Sequence, residues 1–275
     1  GGTLVSAFIR LPLYRYLLPG PSNRWRWDSN AFREIFGFGK WVFLSSILGF
    51  MVMSGDRLLL GGLVDAHRLG IYSIAFLIVS FPVLLIQQLV GWVAFPALSE
   101  VARANPTYLR ETYYKFRLYF DTAILAMSGL LFSFGSTLIS LLYDTRYEVA
   151  GLIIEILALG LIADRYFLAE RCYLALGKPR LLTPIMVLRL LALYLLVPLA
   201  FYFYQFQGAV WAIALSAYVP LPLIFYFKVK QGIFDLTKEL RVLPIFLVGV
   251  ALGTLLNYLS GPLRLTVELL RQTMH

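Results

Sequence analysis

Charge is scarce in this chain, and cysteine and histidine are close to absent. Of its 275 residues only 14% are Asp, Glu, Lys or Arg, against about 25% in ordinary soluble domains. A normal water-exposed surface cannot be built from that inventory. The single cysteine, Cys172, cannot close an internal disulfide, and no His or Cys stands at ligand spacing from it. Neither a redox compartment nor a metal follows. His67 lies in a short loop beside Arg68, where an isolated histidine carries little catalytic weight. Enzyme signatures are missing too: no His/Glu metal spacing, no Gly-x-Ser-x-Gly, and no Gly-rich phosphate loop ending in Gly-Lys-Ser/Thr. Gly177-Lys178-Pro179-Arg180 is only a tight basic turn. The expectation is a non-enzyme with no catalytic residues, no metal and no cofactor.

What is abundant is apolar. Sixty per cent of the chain is hydrophobic and 16% aromatic, which suits helices rimmed by Trp and Tyr at two bilayer interfaces. A crossing helix needs about 20 mostly apolar residues, and seven stretches supply them: 41–63, 70–96, 118–142, 149–176, 181–204, 208–227 and 242–259. The runs are continuous rather than alternating, which favours helices over barrel strands. The predicted fold is all-α, a polytopic transmembrane bundle of about seven spans. Before it, Leu4 to Leu18 is broken by Arg10 and Arg15 and carries no signal-peptide pattern; it reads as the tail of an earlier helix, so that the chain is expected to be part of something longer. The stretch 26–40 mixes Trp27, Phe32, Ile35 and Phe36 with Arg26, Arg33 and Lys40 and reads as interfacial and amphipathic. The chain thus divides into 1–40 (helix end and basic linker), 41–259 (bundle) and 260–275 (a tail too short and too interrupted to span again).

A formal charge of +9 would suggest nucleic acid in a soluble protein, but here its placement follows the spans, and no nucleic-acid partner is expected. One set of alternate loops holds Arg10, Arg15, Arg24, Arg26, Arg33, Lys40, Arg103, Arg110, Lys115, Arg117, Lys178, Arg180, Lys228, Lys230, Lys238 and Arg241. The other holds Arg68, Arg146, Arg264 and Arg271. Sixteen against four puts the first set, with the N-terminal segment, in the cytoplasm.

Charges inside spans are costly and point to function by default. Asp56 and Arg57 lie well inside the first span, about 100° apart around a helix, so they cannot share a partner. The fourth span carries Glu155, Asp164, Arg165, Glu170 and Arg171 and must be enclosed or line water. Asp164 and Arg171, seven apart, share a face; Glu155 points to the opposite side. Glu170 and Arg171 reach towards the interface, where solvation suffices. Arg189 lies eight residues into the fifth span. Asp56, Arg57, Glu155, Asp164, Arg165 and Arg189 are therefore the candidate substrate-binding residues, each with an alternative role in ion pairs between helices. Asp121 reads as interfacial, and Gln87 and Gln88 as interhelical hydrogen-bonders.

In order along the chain, Phe38-Gly-Lys-Trp-Val-Phe-Leu-Ser-Ser46, Gly55-Asp-Arg-Leu-Leu-Leu-Gly61, Leu69-Gly-Ile-Tyr72 and Phe95-Pro-Ala-Leu-Ser99 resemble the polysaccharide-exporting lipid-linked oligosaccharide flippases of the multidrug/oligosaccharidyl-lipid/polysaccharide exporter superfamily. Leu176-Gly-Lys-Pro-Arg180 looks like that family's short loop between late helices. The matches cover roughly 38–180, and the helix pattern extends them to 259. The resemblance implies two helical lobes, of which this chain is the second, with the N-terminal lobe missing. It also implies alternating access around a cationic cavity that takes the diphosphate and sugars of an undecaprenyl-linked repeat unit, among membrane lipids in a bacterial cytoplasmic (inner) membrane. The alternatives are a multidrug or peptidoglycan-precursor exporter, a membrane-embedded glycan polymerase or acyltransferase, and a structural membrane subunit.

Overall fold

The computed structural model describes residues 28–273, and side chains up to Gly261 except at 30, 31 and 34. The expectations for residues 1–27 lie outside the described residues. Phe38 onward forms one compact unit; the stretch before it contributes the described start of the first helix, from Ser29. Every element among the described residues is helical, as the continuous apolar runs require. Besides three short 3₁₀ turns (Pro106–Tyr108, Thr145–Tyr147 and Pro179–Leu181), they are in order α1 (Ser29–Leu63), α2 (Ala66–Leu89), a π turn (Val90–Ala94), α3 (Phe95–Ala104), α4 (Leu109–Leu142), α5 (Glu148–Asp164), α6 (Phe167–Ala175), α7 (Leu182–Ser216), α8 (Leu221–Lys230), α9 (Leu236–Arg241) and α10 (Pro244–Thr273).

Five stretches among the described residues are long and apolar enough to cross a membrane: Ile35–Leu63, Ala66–Ala104, Pro106–Leu142, Pro179–Lys230 and Leu236–Gly261. Two differences separate these from the seven expected. The stretch 149–176 is not one helix. It breaks at Arg165 and Tyr166, where the Tyr166 N–H bonds the Ala163 carbonyl at 3.2 Å and the Ala169 N–H bonds the Tyr166 carbonyl at 2.9 Å, the tighter spacing of a 3₁₀ turn. The expected fifth and sixth spans fall in one stretch, but α7 is not straight. Gln205 sits at φ 55°, ψ −146°, a conformation that glycine normally supplies, and a side chain on Gly208 would strike the Ala200 carbonyl and Tyr204. Residues eight apart in a straight helix are about 12 Å apart, so the chain turns back on itself here.

The centre of the bundle is α4, which packs against α5 and α10. Close approach there depends on small residues. Gly249 and Gly253, four apart on α10, face Ala126 and Ser133 so tightly that neither has room for a side chain, and Gly129 on α4 is pressed against the α10 backbone in the same way. Such small-residue contacts are how helices pack when lipid removes the hydrophobic drive between them. Hydrogen bonds follow the approach: Ser133 Oγ donates to the Val250 carbonyl at 3.1 Å, and Ser128 Oγ to the Ala158 carbonyl of α5 at 2.6 Å. Large apolar side chains face outward around the bundle, among them Leu77, Phe81, Trp92, Leu195 and Leu247, the surface a bilayer would cover.

Between α1 and α2, Asp65 caps α2 by accepting the Arg68 N–H at 2.8 Å. That backbone hydrogen bond holds its carboxyl below the usual range.

Candidate functional site: a charged cavity and a buried ion cluster

A cavity of about 500 Å3 opens among α1, α2, α5, α6 and α7. Four segments bring charge to it. From α1 comes Asp56, 4% exposed, whose Oδ2 accepts the Tyr72 hydroxyl of α2 while Oδ1 has no hydrogen-bond partner among the described residues. Its neighbour Arg57 turns the other way, exposed, with its guanidinium 4.5 Å from the Phe76 ring centroid, as adjacent helical residues must. From the end of α5 comes Asp164. Glu170 and Arg171 come from α6, and Arg189 comes from α7. Arg189 Nη2 donates to Glu170 Oε1 at 3.1 Å, and its Nε has no partner among the described residues. Arg171 lies over Phe167 at 4.4 Å. Glu170, read as solvated from the sequence, is instead buried and paired.

Of the six sequence candidates the structure gathers Asp56, Asp164 and Arg189 at this cavity. Glu155 is elsewhere, accepting the Ser136 N–H at 3.2 Å and its hydroxyl at 2.6 Å. Arg165 does not line the cavity either. The helix break at Arg165 and Tyr166 swings these two residues into a second charged site.

That second site is a buried ion cluster which the sequence reading missed. Arg117 of α4 is 1% exposed, Asp121 1%, Lys228 of α8 0% and Glu239 of α9 3%. Arg117 Nε donates to Asp121 Oδ2 at 2.8 Å and Nη1 to Glu239 Oε1 at 2.6 Å, with Nη2 2.5 Å from Glu239 Oε2. Lys228 also donates to Glu239 Oε1, and the hydroxyls of Tyr114 and Tyr166 donate to the same carboxylate at 3.0 Å each. Arg165 Nη1 lies 3.5 Å from Asp121 Oδ2, and its Nη2 donates to the Tyr166 hydroxyl at 2.7 Å. Arg117 and Lys228, counted above as loop charges, and Asp121 are thus enclosed by the protein. Arg117 and Asp121 carried one signal, an i,i+4 pair of opposite charge at the start of an apolar run. Glu239 carried none.

Two glycine turns end helices beside the cluster, and the second leads into α9. Gly177 and Gly232, both at φ 69°, end α6 and α8. The Lys178 N–H reaches back to the Tyr173 carbonyl and the Ile233 N–H to the Lys228 carbonyl, the backbone pattern that favours glycine after a helix. Asp235 then caps α9 through the Lys238 N–H and pairs with Arg110 Nη2 at 2.8 Å. The cap, foremost, holds the Asp235 carboxyl below its usual range.

Chemically, the cavity offers guanidinium groups that are only partly neutralised, and a guanidinium paired to one carboxylate can exchange it for another oxyanion with the same forked geometry. The helices, the cavity and the charges agree with what the chain matches. Residues 1–152 match the family described as polysaccharide biosynthesis protein. A stretch of 137 residues is 28% identical to the teichuronic acid biosynthesis protein TuaB of Bacillus subtilis (strain 168), covering 48% of this chain and 27% of that protein. This chain therefore matches about a quarter of that relative's length. No solved structure matches the chain significantly. With more than half of its residues inside the family match and an all-helical set of elements among the described residues, five of whose stretches can cross a membrane, the chain belongs to the polysaccharide biosynthesis protein family.

Proposed function

We propose that this chain forms one lobe, the second, of a flippase that moves lipid-linked oligosaccharide repeat units across a bacterial cytoplasmic membrane by alternating access. The observation that carries this reading is the cavity of about 500 Å3 with Arg189, Arg171, Glu170, Asp164 and Asp56 on its wall, inside a helical membrane bundle of the polysaccharide biosynthesis family. Charges in a bundle at this depth need a reason, and an anionic headgroup passing through supplies one. Arg189 is the residue we assign to a diphosphate, with Glu170 as the carboxylate that holds it in place between substrates. Asp56, Asp164 and Arg171 border the same space and complete the polar wall. The reading takes the turn at Gln205 as the boundary between two spans and α5 with α6 as one broken span. That arrangement keeps seven crossings and puts the basic loops, including 228–241, on the cytoplasmic side.

Export of a lipid-linked glycan in cells carrying the longer gene product with Arg189→Gln tests the substrate role. Loss of export at normal membrane abundance supports it; wild-type export with both Arg189→Gln and Arg189→Lys removes it. A cysteine at Thr145 modified by an impermeant reagent from outside, with none modified at Gln231, tests the orientation, and the reverse pattern overturns it.

A further inference from the structure

Glu239 is crowded for a residue on a helix of six. Arg117, Lys228, Tyr114 and Tyr166 all converge on its two oxygens, and Arg165 Nη2 lies 3.9 Å away. A carboxylate offers roughly four lone-pair positions, so this one is saturated. The cluster nonetheless holds three cations, Arg117, Arg165 and Lys228, against two carboxylates, Asp121 and Glu239. Arg165 Nε and Asp121 Oδ1, both buried, have no hydrogen-bond partner among the described residues. A phosphate brings a further negative charge and a third acceptor oxygen, and so matches three converging cations better than one carboxylate does. Outside the cluster, α9 is tethered at its first turn by the Asp235–Arg110 pair, whose arginine side chain is 49% exposed, and by Lys238, whose Nζ lies 5.1 Å from the Tyr114 ring centroid; solvent-screened contacts of this kind contribute little.

We propose that Arg117, Arg165 and Lys228 form a second anion site, apart from the cavity, for a phosphate group, and that α9 keeps this site filled with its own Glu239 carboxylate until a phosphate displaces it. The site adjoins the cavity. Asp164 and Gln87 border both the cavity and a gap of about 10 Å3 beside Arg165, close to the room one water needs. Displacement of Glu239 frees α9, and the packing beneath it loosens at that end of the bundle only.

Cys172 reads this directly. It is the chain's single cysteine and is 0% exposed, packed in the same core as Tyr113, Tyr166 and Ile233. In the purified chain in phosphatidylcholine nanodiscs, N-ethylmaleimide is expected to alkylate it slowly. Inorganic pyrophosphate, or phosphatidic acid added to the nanodisc, raises the rate by roughly tenfold, within the range of ordinary coupling between sites. Glu239→Gln raises it without either phosphate, and Arg165→Gln removes the response. A response to pyrophosphate alone identifies a soluble phosphate as the ligand, and one to phosphatidic acid alone a lipid headgroup. Ala150→Cys in a Cys172→Ser chain, buried in the other core, stays protected throughout.

No acceleration by either phosphate overturns the proposal, as does acceleration that persists in Arg165→Gln or that also exposes position 150. Should Glu239→Gln fail to accumulate, Asp235→Asn takes its place, since it removes only the outer tether. It is expected to lower the pyrophosphate concentration that gives half the acceleration, and an unchanged concentration counts against the site.

Discussion

Two regions of this molecule bury arginine beside carboxylate, and they do so to different ends. In the cluster, Arg117 is gripped by Asp121, Glu239 and the Tyr113 hydroxyl with its guanidinium 4.6 Å from the Tyr166 ring centroid. In the cavity, Arg189 donates to Glu170, 19% of its side chain remains exposed, and its Nε has no hydrogen-bond partner among the described residues. The first arrangement fills the space around its charges with the protein's own carboxylates and hydroxyls. The second leaves charge facing space. Burial of an ion pair therefore says little about role until one asks what fills the remaining hydrogen-bonding positions.

The largest effect that would sharpen this contrast is expected from Arg117→Met. It removes the cation that two buried carboxylates share, Asp121 and Glu239, and breaking a buried pair from one side costs about 3–5 kcal/mol. The thermal midpoint in detergent should fall steeply and membrane abundance with it; a near-wild-type midpoint would mean that the cluster is hydrated and resembles the cavity. Next comes Gly249→Leu on α10. The contact with Ala126 has no space for a side chain, and overpacking costs about 1–3 kcal/mol. This change tests whether the cluster or the helix contact dominates the stability of α4, again by thermal midpoint.

Arg189→Gln should cost less stability than Arg117→Met, because it removes one ion pair rather than two and Glu170 borders the cavity. Its effect on glycan export is expected to be roughly tenfold or more, the scale of one lost hydrogen bond to a charged group. A large drop in abundance with export per molecule unchanged would put Arg189 in the same structural class as Arg117. The smallest effect concerns pH. The Asp235 carboxyl is held below its ordinary value by the cap at Lys238 N–H, so its stabilisation of α9 is present above the unfolded-state value, about 3.9, and is lost as pH falls through the folded-state value. Asp235→Asn keeps a capping oxygen, and its thermal midpoint should fall less than that of the wild type as pH drops below about 5.

Much of the fold was legible because lipid imposes simple rules. Uninterrupted apolar runs could only be helices, and Asp56 and Arg57 had to part company because neighbours on a helix point about 100° apart. The same geometry separated Glu155 from Asp164, and the structure keeps them in different surroundings. Extending helical periodicity past Asp164 failed, since no proline or glycine marks the break there. The break accompanies contacts made by its own residues: Arg165 with Asp121, and Tyr166 with Glu239. Those partners lie 44 and 73 positions away in the chain, beyond the reach of any local pattern.

The sequence by itself determined a helical membrane protein, because its inventory of charge cannot clothe a surface in water. It also determined which charges needed an explanation, because each one within an apolar run is expensive in hydrocarbon. Only the tertiary structure decided how they sort. Asp56, Asp164 and Arg189 meet around a cavity, whereas Arg165 joins Arg117, Asp121, Lys228 and Glu239. The physical reason is that pairing depends on distance through space, and the glycine turn at Gly232 brings a carboxylate from a short basic loop onto the end of α4, a contact set by the packing of four helices and written in no single segment.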